Sequence, residues 1–192
     1  LDPSIKYDLR VATLPEINQK NIEIIEHAHN TINLNAAQGY LKFISSRSNY
    51  NVKYATRVFQ KDKNDNKTIN HQELGSTEKY LIGSYNLEIF TLPRTYLNVN
   101  INEYKTTTVD IPAPGNLDLK TAKLYVGQIF VKRKIGTYEW VCNLNDNVRS
   151  QKWQLQPGDY KIVYREKGQF TSAYTNEKEF SIKTLNTNYL KL

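Results

Sequence analysis

The sequence predicts an all-β chain built from tandem β-sandwiches, and three observations carry that prediction. Apolar and polar residues alternate over short runs, Gly, Pro and Asn interrupt those runs at short intervals, and the whole pattern comes back along the chain. The repetition is the strongest of the three. Tyr7-Asp8-Leu9-Arg10-Val11-Ala12-Thr13-Leu14-Pro15 matches Tyr85-Asn86-Leu87-Glu88-Ile89-Phe90-Thr91-Leu92-Pro93. Downstream, Ile22 and Ile24 return as Val99 and Ile101, and Ile32 and Leu34 return as Val109 and Ile111. Ala36-Ala37-Gln38-Gly39 then answers to Pro112-Ala113-Pro114-Gly115, and each Gly opens a short strand, Tyr40 to Phe43 or Asn116 to Leu119.

A third copy begins at Leu155-Gln156-Pro157-Gly158-Asp159-Tyr160-Lys161-Ile162, which resembles Tyr80-Leu81-Ile82-Gly83-Ser84-Tyr85-Asn86-Leu87. Counted from Gly39 to Gly115 the period is about 76 residues. The expected organisation is a partial unit over 1–38 (the C-terminal strands of a sandwich), a unit over 39–114 and another over 115–192. Cutting before each Tyr would give other boundaries.

Taken in order, the elements read as strands. Pro15 to His29 is polar and long enough to suggest a helix. Its counterpart, Thr95 to Thr106, carries the Val99-Asn100-Ile101 alternation, so a strand is expected instead. Val52-Lys53-Tyr54, Arg57 to Gln60 and Gln128 to Lys132 alternate clearly. Lys132, Arg133 and Lys134 precede Gly136, which places that basic cluster at a hairpin tip in solvent rather than in an anion-binding patch. Over Thr137 to Leu144, a strict period of two puts Tyr138, Trp140, Cys142 and Leu144 on one face, predicted to be the core face. Trp153 and Leu155 share a face in the same way. Pro157-Gly158 is expected to turn the chain, with Gly158 at positive φ, before Tyr160 begins a strand and buries its ring. Pro93 cannot donate to a ladder and marks a strand end.

Composition narrows the function. Of 192 residues, 39% are hydrophobic and 23% charged, enough apolar material for small cores, and no run approaches the roughly 20 apolar residues of a spanning helix. Cys142 is the single cysteine, so a disulfide can form only between chains, and a cysteine-built zinc site is excluded. A chain that starts at Leu1 and lacks Met reads as a processed product or an excised piece. Lys and Arg exceed Asp and Glu by 26 to 19, for a net charge of +7. That balance permits an anionic partner without selecting one, since the basic residues are scattered.

Few residues suggest chemistry. Asp62 to Glu73 has oxygen ligands at positions 1, 3, 5 and 12 and Ile69 at position 8, in the manner of an EF-hand calcium loop. Lys67 stands where such a loop needs Gly, and strands flank it, so a polar hairpin tip is expected. His27-Ala28-His29 falls between two strands and reads as a solvated turn, and His71 as a solvated loop residue. Cys142 reads as a small core residue, because nothing nearby would lower its pKa. The 14 Tyr could form a stacking platform if exposed, but most sit in strand-like stretches that favour packing. Asn66-Lys67-Thr68 is a glycosylation sequon, of consequence only in a eukaryotic secretory setting. No phosphate loop, zinc-protease motif or nucleophile elbow occurs, and no catalytic, cofactor-binding or metal residues are expected.

Tyr85-Asn86-Leu87 followed by Thr91-Leu92-Pro93, then Ile111-Pro112-Ala113-Pro114-Gly115 and Leu155-Gln156-Pro157-Gly158-Asp159-Tyr160, resembles the β-sandwich repeat region that accompanies von Willebrand factor A domains in secreted bacterial proteins. Leu155 to Val163 is similar to the last strands of prealbumin-like, carboxypeptidase-regulatory-like sandwiches. The resemblance implies Ig-like or prealbumin-like sandwich repeats. It covers nearly the whole chain through strand and turn residues. The A domain's Asp-x-Ser-x-Ser metal motif is missing, so its metal-dependent adhesion is not carried over, and no site residues transfer. What it implies is a non-enzymatic structural or protein-interaction module of a larger secreted or cell-envelope bacterial protein, acting as spacer or docking segment. The expected partners are other subunits or domains of a surface or envelope assembly, with no nucleic acid and no membrane span in this chain. The expected location is secreted, cell surface or periplasm. The alternative is a ligand-binding module, for carbohydrate or calcium, that uses loop tips or exposed aromatics.

Overall fold

Short alternating runs give short strands, and the computed structural model, which describes residues 1–45, 54–61, 66–134 and 136–192, is all-β. Its strands are β1 (Tyr7–Val11), β2 (Ile17–Ile22), β3 (Gln38–Ile44), β4 (Ala55–Lys61), β5 (Asn66–Glu73), β6 (Thr77–Leu81), β7 (Gly83–Ile89) and β8 (Thr95–Ile101). They continue as β9 (Thr106–Asp110), β10 (Gly115–Lys120), β11 (Tyr125–Lys132), β12 (Tyr138–Asn143), β13 (Ser150–Leu155), β14 (Gly158–Glu166), β15 (Asn176–Ile182) and β16 (Thr187–Lys191). Among the described residues a single 3-10 turn, Ser172–Tyr174, interrupts the strands. Pro15 to His29 forms β2 and a turn, as its alternating counterpart requires. Among the described residues no helix is long and apolar enough to cross a membrane.

The described residues gather into two compact units. One comprises 1–44, 54–61, 66–89 and 96–109, the other 45, 90–95, 110–134 and 136–192. In the first, β6-β3-β9 form a three-stranded sheet and β5-β4-β7-β8 a four-stranded one, while β1 and β2 make a separate antiparallel pair. Leu41 and Phe43 of β3, Val58 of β4, Tyr80 of β6, and Tyr85 and Leu87 of β7 are all 0–1% exposed and line its interior. Thr56 and Gln72 are polar residues among them, 0% and 2% exposed. The Gln72 amide donates to the Leu41 carbonyl at 2.9 Å, its carbonyl oxygen accepts from the Tyr80 hydroxyl at 3.0 Å, and Asn70 donates to that same hydroxyl at 3.1 Å. These bonds satisfy polar atoms whose burial would otherwise be costly.

The second unit has the same strand order. β13-β10-β16 form its three-stranded sheet, with β10 antiparallel to β13 and parallel to β16, and β12-β11-β14-β15 form the four-stranded one. Leu117 and Leu119 of β10, Leu155 of β13 and Leu190 of β16 meet Ile129, Val131, Tyr160, Ile162 and Phe180 from the opposite sheet in one apolar cluster. Each such fully buried side chain contributes about 1.5–3 kcal/mol. Registers agree as well, with Val58 opposite Leu87 where Ile129 is opposite Ile162, and Phe59 opposite Asn86 where Phe130 is opposite Lys161. Gly39 and Gly115 are equivalent too. A Cβ on the first would run into the carbonyl oxygens of Asn102 and Lys105, and on the second into those of Lys183 and Asn186.

Two sequence expectations fail here. Gly158 does not adopt positive φ; it is extended, and begins β14 opposite Ile182. Trp140 does not face the core with Cys142 and Leu144 but is 54% exposed. The cause is a bulge. Ile129 pairs with Cys142 while its neighbour Phe130 pairs with Trp140, so Val141 is an extra residue on β12. Val141 turns inward with Leu144, and the period of two is reset, which sends Trp140 and Tyr138 to the opposite face.

Candidate functional site

The outer face of β12-β11-β14-β15 carries the exposed ring of Trp140 together with several ionisable side chains. Paired residues on neighbouring strands project to the same side, so the ladder sorts that face into rows. One row runs Trp140, Phe130, Lys161, Glu179 across the four strands. The row on one side brings Tyr138 beside Lys132 and Asp159 beside Ser181, and the row on the other runs Asn143, Gln128, Val163, Glu177. Rows lie about 6.6 Å apart and strands about 4.8 Å apart.

The polar atoms of this face hold the aromatic rings in place. The Trp140 indole N–H donates to Asn143 Oδ1 at 3.1 Å, and the Gln128 amide donates to the same oxygen at 3.2 Å. The Tyr138 hydroxyl donates to Glu179 Oε1 at 2.6 Å, and that bond to a carboxylate raises the phenol pKa above its ordinary value. Lys161 Nζ lies 4.3 Å from the centre of the Tyr138 ring and pairs with Glu177 at 2.9 Å. Ser181 donates to Asp159 Oδ1 at 2.6 Å. A depression of about 340 Å3 opens among Lys132, Tyr138, Asp159, Glu179 and Ser181. Another of about 400 Å3 lies among Gln128, Asn143, Asp146, Val163 and Arg165. Stacking and hydrogen bonding are what such a surface offers.

In the first unit the corresponding face carries different side chains, around a depression of about 400 Å3 among Phe59, Asn66, Asn86, Tyr96 and Asn98. Thr68 stands opposite Phe59 where Trp140 stands opposite Phe130. The Arg57 guanidinium covers the Phe59 ring at 4.7 Å, donates to Thr68 Oγ1 at 2.7 Å and to the Asn66 carbonyl at 2.6 Å, and lies 3.5 Å from Glu88. Tyr96 donates to Glu88 at 3.2 Å.

No family model matches the chain, and no curated protein matches it. Among solved structures it is similar to the minor pilin GBS52 of Streptococcus agalactiae, at 14% identity and a TM-score of 0.39 over 81% of this chain and 94% of that one. It is also similar to the TIE protein of Bacillus anthracis, at 15% identity and a TM-score of 0.31 over 81% of this chain and 33% of that one. A third likeness, to the IG1+IG2 segment of DIP-gamma, has 10% identity and a TM-score of 0.18 over 80% and 94% of the two chains. At such scores the likeness assigns no function to this chain.

The remaining sequence candidates do not converge on one place. Asp62, Lys63, Asn64 and Asp65 of the calcium-like stretch lie outside the described residues. Asn66 and Glu73 are the two ends of β5, about 23 Å apart at 3.3 Å per residue, too far to share one ion. His27 and His29 are exposed in the turn after β2, and His71 is exposed on β5, a strand position rather than a loop. Cys142 is half-buried against the core, and desolvation pushes its thiol up to about 11, far from a nucleophile's range. Trp153 packs against the same core. Arg133, in the basic cluster at the β11–β12 turn, pairs with Glu139 at 2.7 Å. Of the Tyr residues, Tyr80, Tyr85 and Tyr160 are buried, whereas Tyr96, Tyr104, Tyr174 and Tyr189 are more than half exposed. Among the described residues no three His, Cys, Asp or Glu side chains assemble to hold a metal.

The Trp140 row escaped the sequence reading because a bulge leaves no mark in composition. The signal for it in the sequence is Val141, an apolar residue between Trp140 and Cys142 that breaks the alternation.

Proposed function

We propose that the chain is a non-enzymatic structural or interaction segment of a larger secreted or cell-envelope bacterial protein. Its sandwiches are tandem repeats, a partial one over 1–38 and further ones over 39–114 and 115–192, and they serve as spacer or docking modules. The supporting observation is a contact that recurs at matched positions. In the first unit the Leu14 carbonyl, in the Thr13-Leu14-Pro15 segment, accepts from the Leu81 amide at 2.7 Å. In the second, the Leu92 carbonyl of Thr91-Leu92-Pro93 accepts from the Gln156 amide at 2.7 Å. The Thr hydroxyl closes each segment in the same way, onto the Pro15 oxygen at 2.6 Å or the Pro93 oxygen at 2.7 Å. A contact used twice at matched positions belongs to a module made to be joined in series, as repeat architectures are.

The resemblance of these segments to the region accompanying von Willebrand factor A domains supports the same reading. So does the use of the buried phenols, whose hydroxyls are engaged by backbone or amide oxygens. The test is a domain exchange in the full-length protein, with residues 39–192 replaced by two unrelated sandwiches of equal size. Retained surface display and assembly identifies a spacer, whereas lost assembly with retained display identifies a docking segment. Recovery of the full-length protein from the cytoplasm overturns the proposal.

A further inference from the structure

We propose that the outer face of β12-β11-β14-β15 is a saccharide-binding face, with Trp140 as its stacking platform and a neutral pyranose oligosaccharide as its ligand. Three independent features point to this chemistry.

The first is the ring itself. Trp140 is 54% exposed in the middle of a strand, and its indole N–H is held by Asn143 Oδ1. A ring restrained in this way presents its face with little freedom left to lose on binding. One face of a pyranose is a patch of C–H groups and its rim is hydroxyl, which suits an indole face bordered by hydrogen-bonding side chains.

The second is the border. The depression beside Tyr138 offers carboxylate acceptors from Asp159 and Glu179 and an ammonium donor from Lys132. On the other side of the Trp140 row lie the amides of Gln128 and Asn143. Rows about 6.6 Å apart place these groups around a ring stacked on Trp140 and around the sugar units joined to it.

The third is charge. Although the chain carries a net +7, Lys132, Lys161 and Arg165 on this face are matched by Asp159, Glu177 and Glu179. Nucleic acid or a sulfated glycan would meet as much repulsion as attraction here, whereas a neutral ligand meets both donors and acceptors. Nor does the fold demand an aromatic at this place. The first unit has Thr68 there, under the Arg57 side chain.

The test titrates the whole chain with cellohexaose, chitohexaose and a heparin hexasaccharide, followed by calorimetry and by Trp fluorescence, in low and high salt. The wild type is expected to bind at least one of the two neutral hexasaccharides saturably and independently of salt. Trp140→Thr, which copies the first unit, should weaken that binding by about tenfold or more while leaving the melting curve unchanged. Trp140→Phe should retain part of it. The proposal is overturned if neither neutral hexasaccharide binds, if Trp140→Thr binds as well as the wild type, or if only the heparin fragment binds and salt abolishes it.

Discussion

The Tyr160 hydroxyl donates to the carbonyl oxygen of Gln156, four residues earlier, at 2.6 Å, and Tyr85 makes the same bond to Leu81 at 2.8 Å. Each bond closes the turn that leads into a central strand, β14 or β7. The phenol is suited to this place because its ring fills the core while its oxygen reaches the backbone at the sandwich edge. Burial raises the pKa of Tyr160 and pushes Tyr85 up to about 12, so both stay neutral donors over the ordinary pH range.

Tyr160→Phe should therefore destabilise the second unit by about 1–2 kcal/mol, because the buried Gln156 carbonyl loses its hydroxyl donor while the ring remains. Tyr85→Phe should cost less, since its hydrogen bond is only part-buried. Urea midpoints of the two variants measure this, and equal midpoints for Tyr160→Phe and wild type would refute it.

Gly39→Ala and Gly115→Ala should each lower stability by about 1–3 kcal/mol, since backbone oxygens stand where the methyl group would go. Gly136→Ala meets nothing within 4 Å, and only its φ of 74° opposes the substitution. Thermal melts should rank Gly136→Ala as the mildest of the three.

Trp140→Thr should change stability by no more than about 0.5 kcal/mol, as an exposed strand position allows. Trp153→Ala, which removes a ring packed on the core, should lower the melting temperature clearly. Strict alternation predicts the reverse for Trp140, several kcal/mol for a core aromatic, so the pair of melts distinguishes a bulged β12 from a regular one.

Alkali should destabilise the chain from about pH 9 upward. The Cys142 thiol has an ordinary pKa of 9.0 and is pushed to about 11 in the folded chain, and the Tyr80 and Tyr85 phenols move from 10.0 to about 12. Between these values the folded chain keeps protons that the unfolded chain has released. The stability they confer is complete below pH 9 and is lost as pH rises through 11 and 12. Cys142→Ala should flatten the fall between pH 9 and 11 and leave the later, phenol-driven part. An unchanged slope in chemical denaturation across that range would count against it. The same raised pKa predicts that a thiol reagent modifies Cys142 far more slowly than free cysteine at pH 8.

Much of the fold was legible because it depends on local patterns. Gly39 and Gly115 lie at the start of strands β3 and β10, and the run Gln128 to Lys132 lies within β11 where its alternation puts it. Phe59 and Phe130 occupy matched registers. The candidate site was not legible. Its members come from β11, β12, β14 and β15, far apart in sequence, and only the ladder aligns Trp140, Phe130, Lys161 and Glu179 in one row.

That this chain forms strands, and where many of them run, follows from its residues alone, because side-chain alternation and turn residues act within a few positions of one another. The face that Trp140 takes is set by strand pairing. That choice depends on Val141 being left unpaired when β12 aligns with β11, a matter of register between two strands. A one-residue bulge moves an indole from core to solvent without changing a single residue.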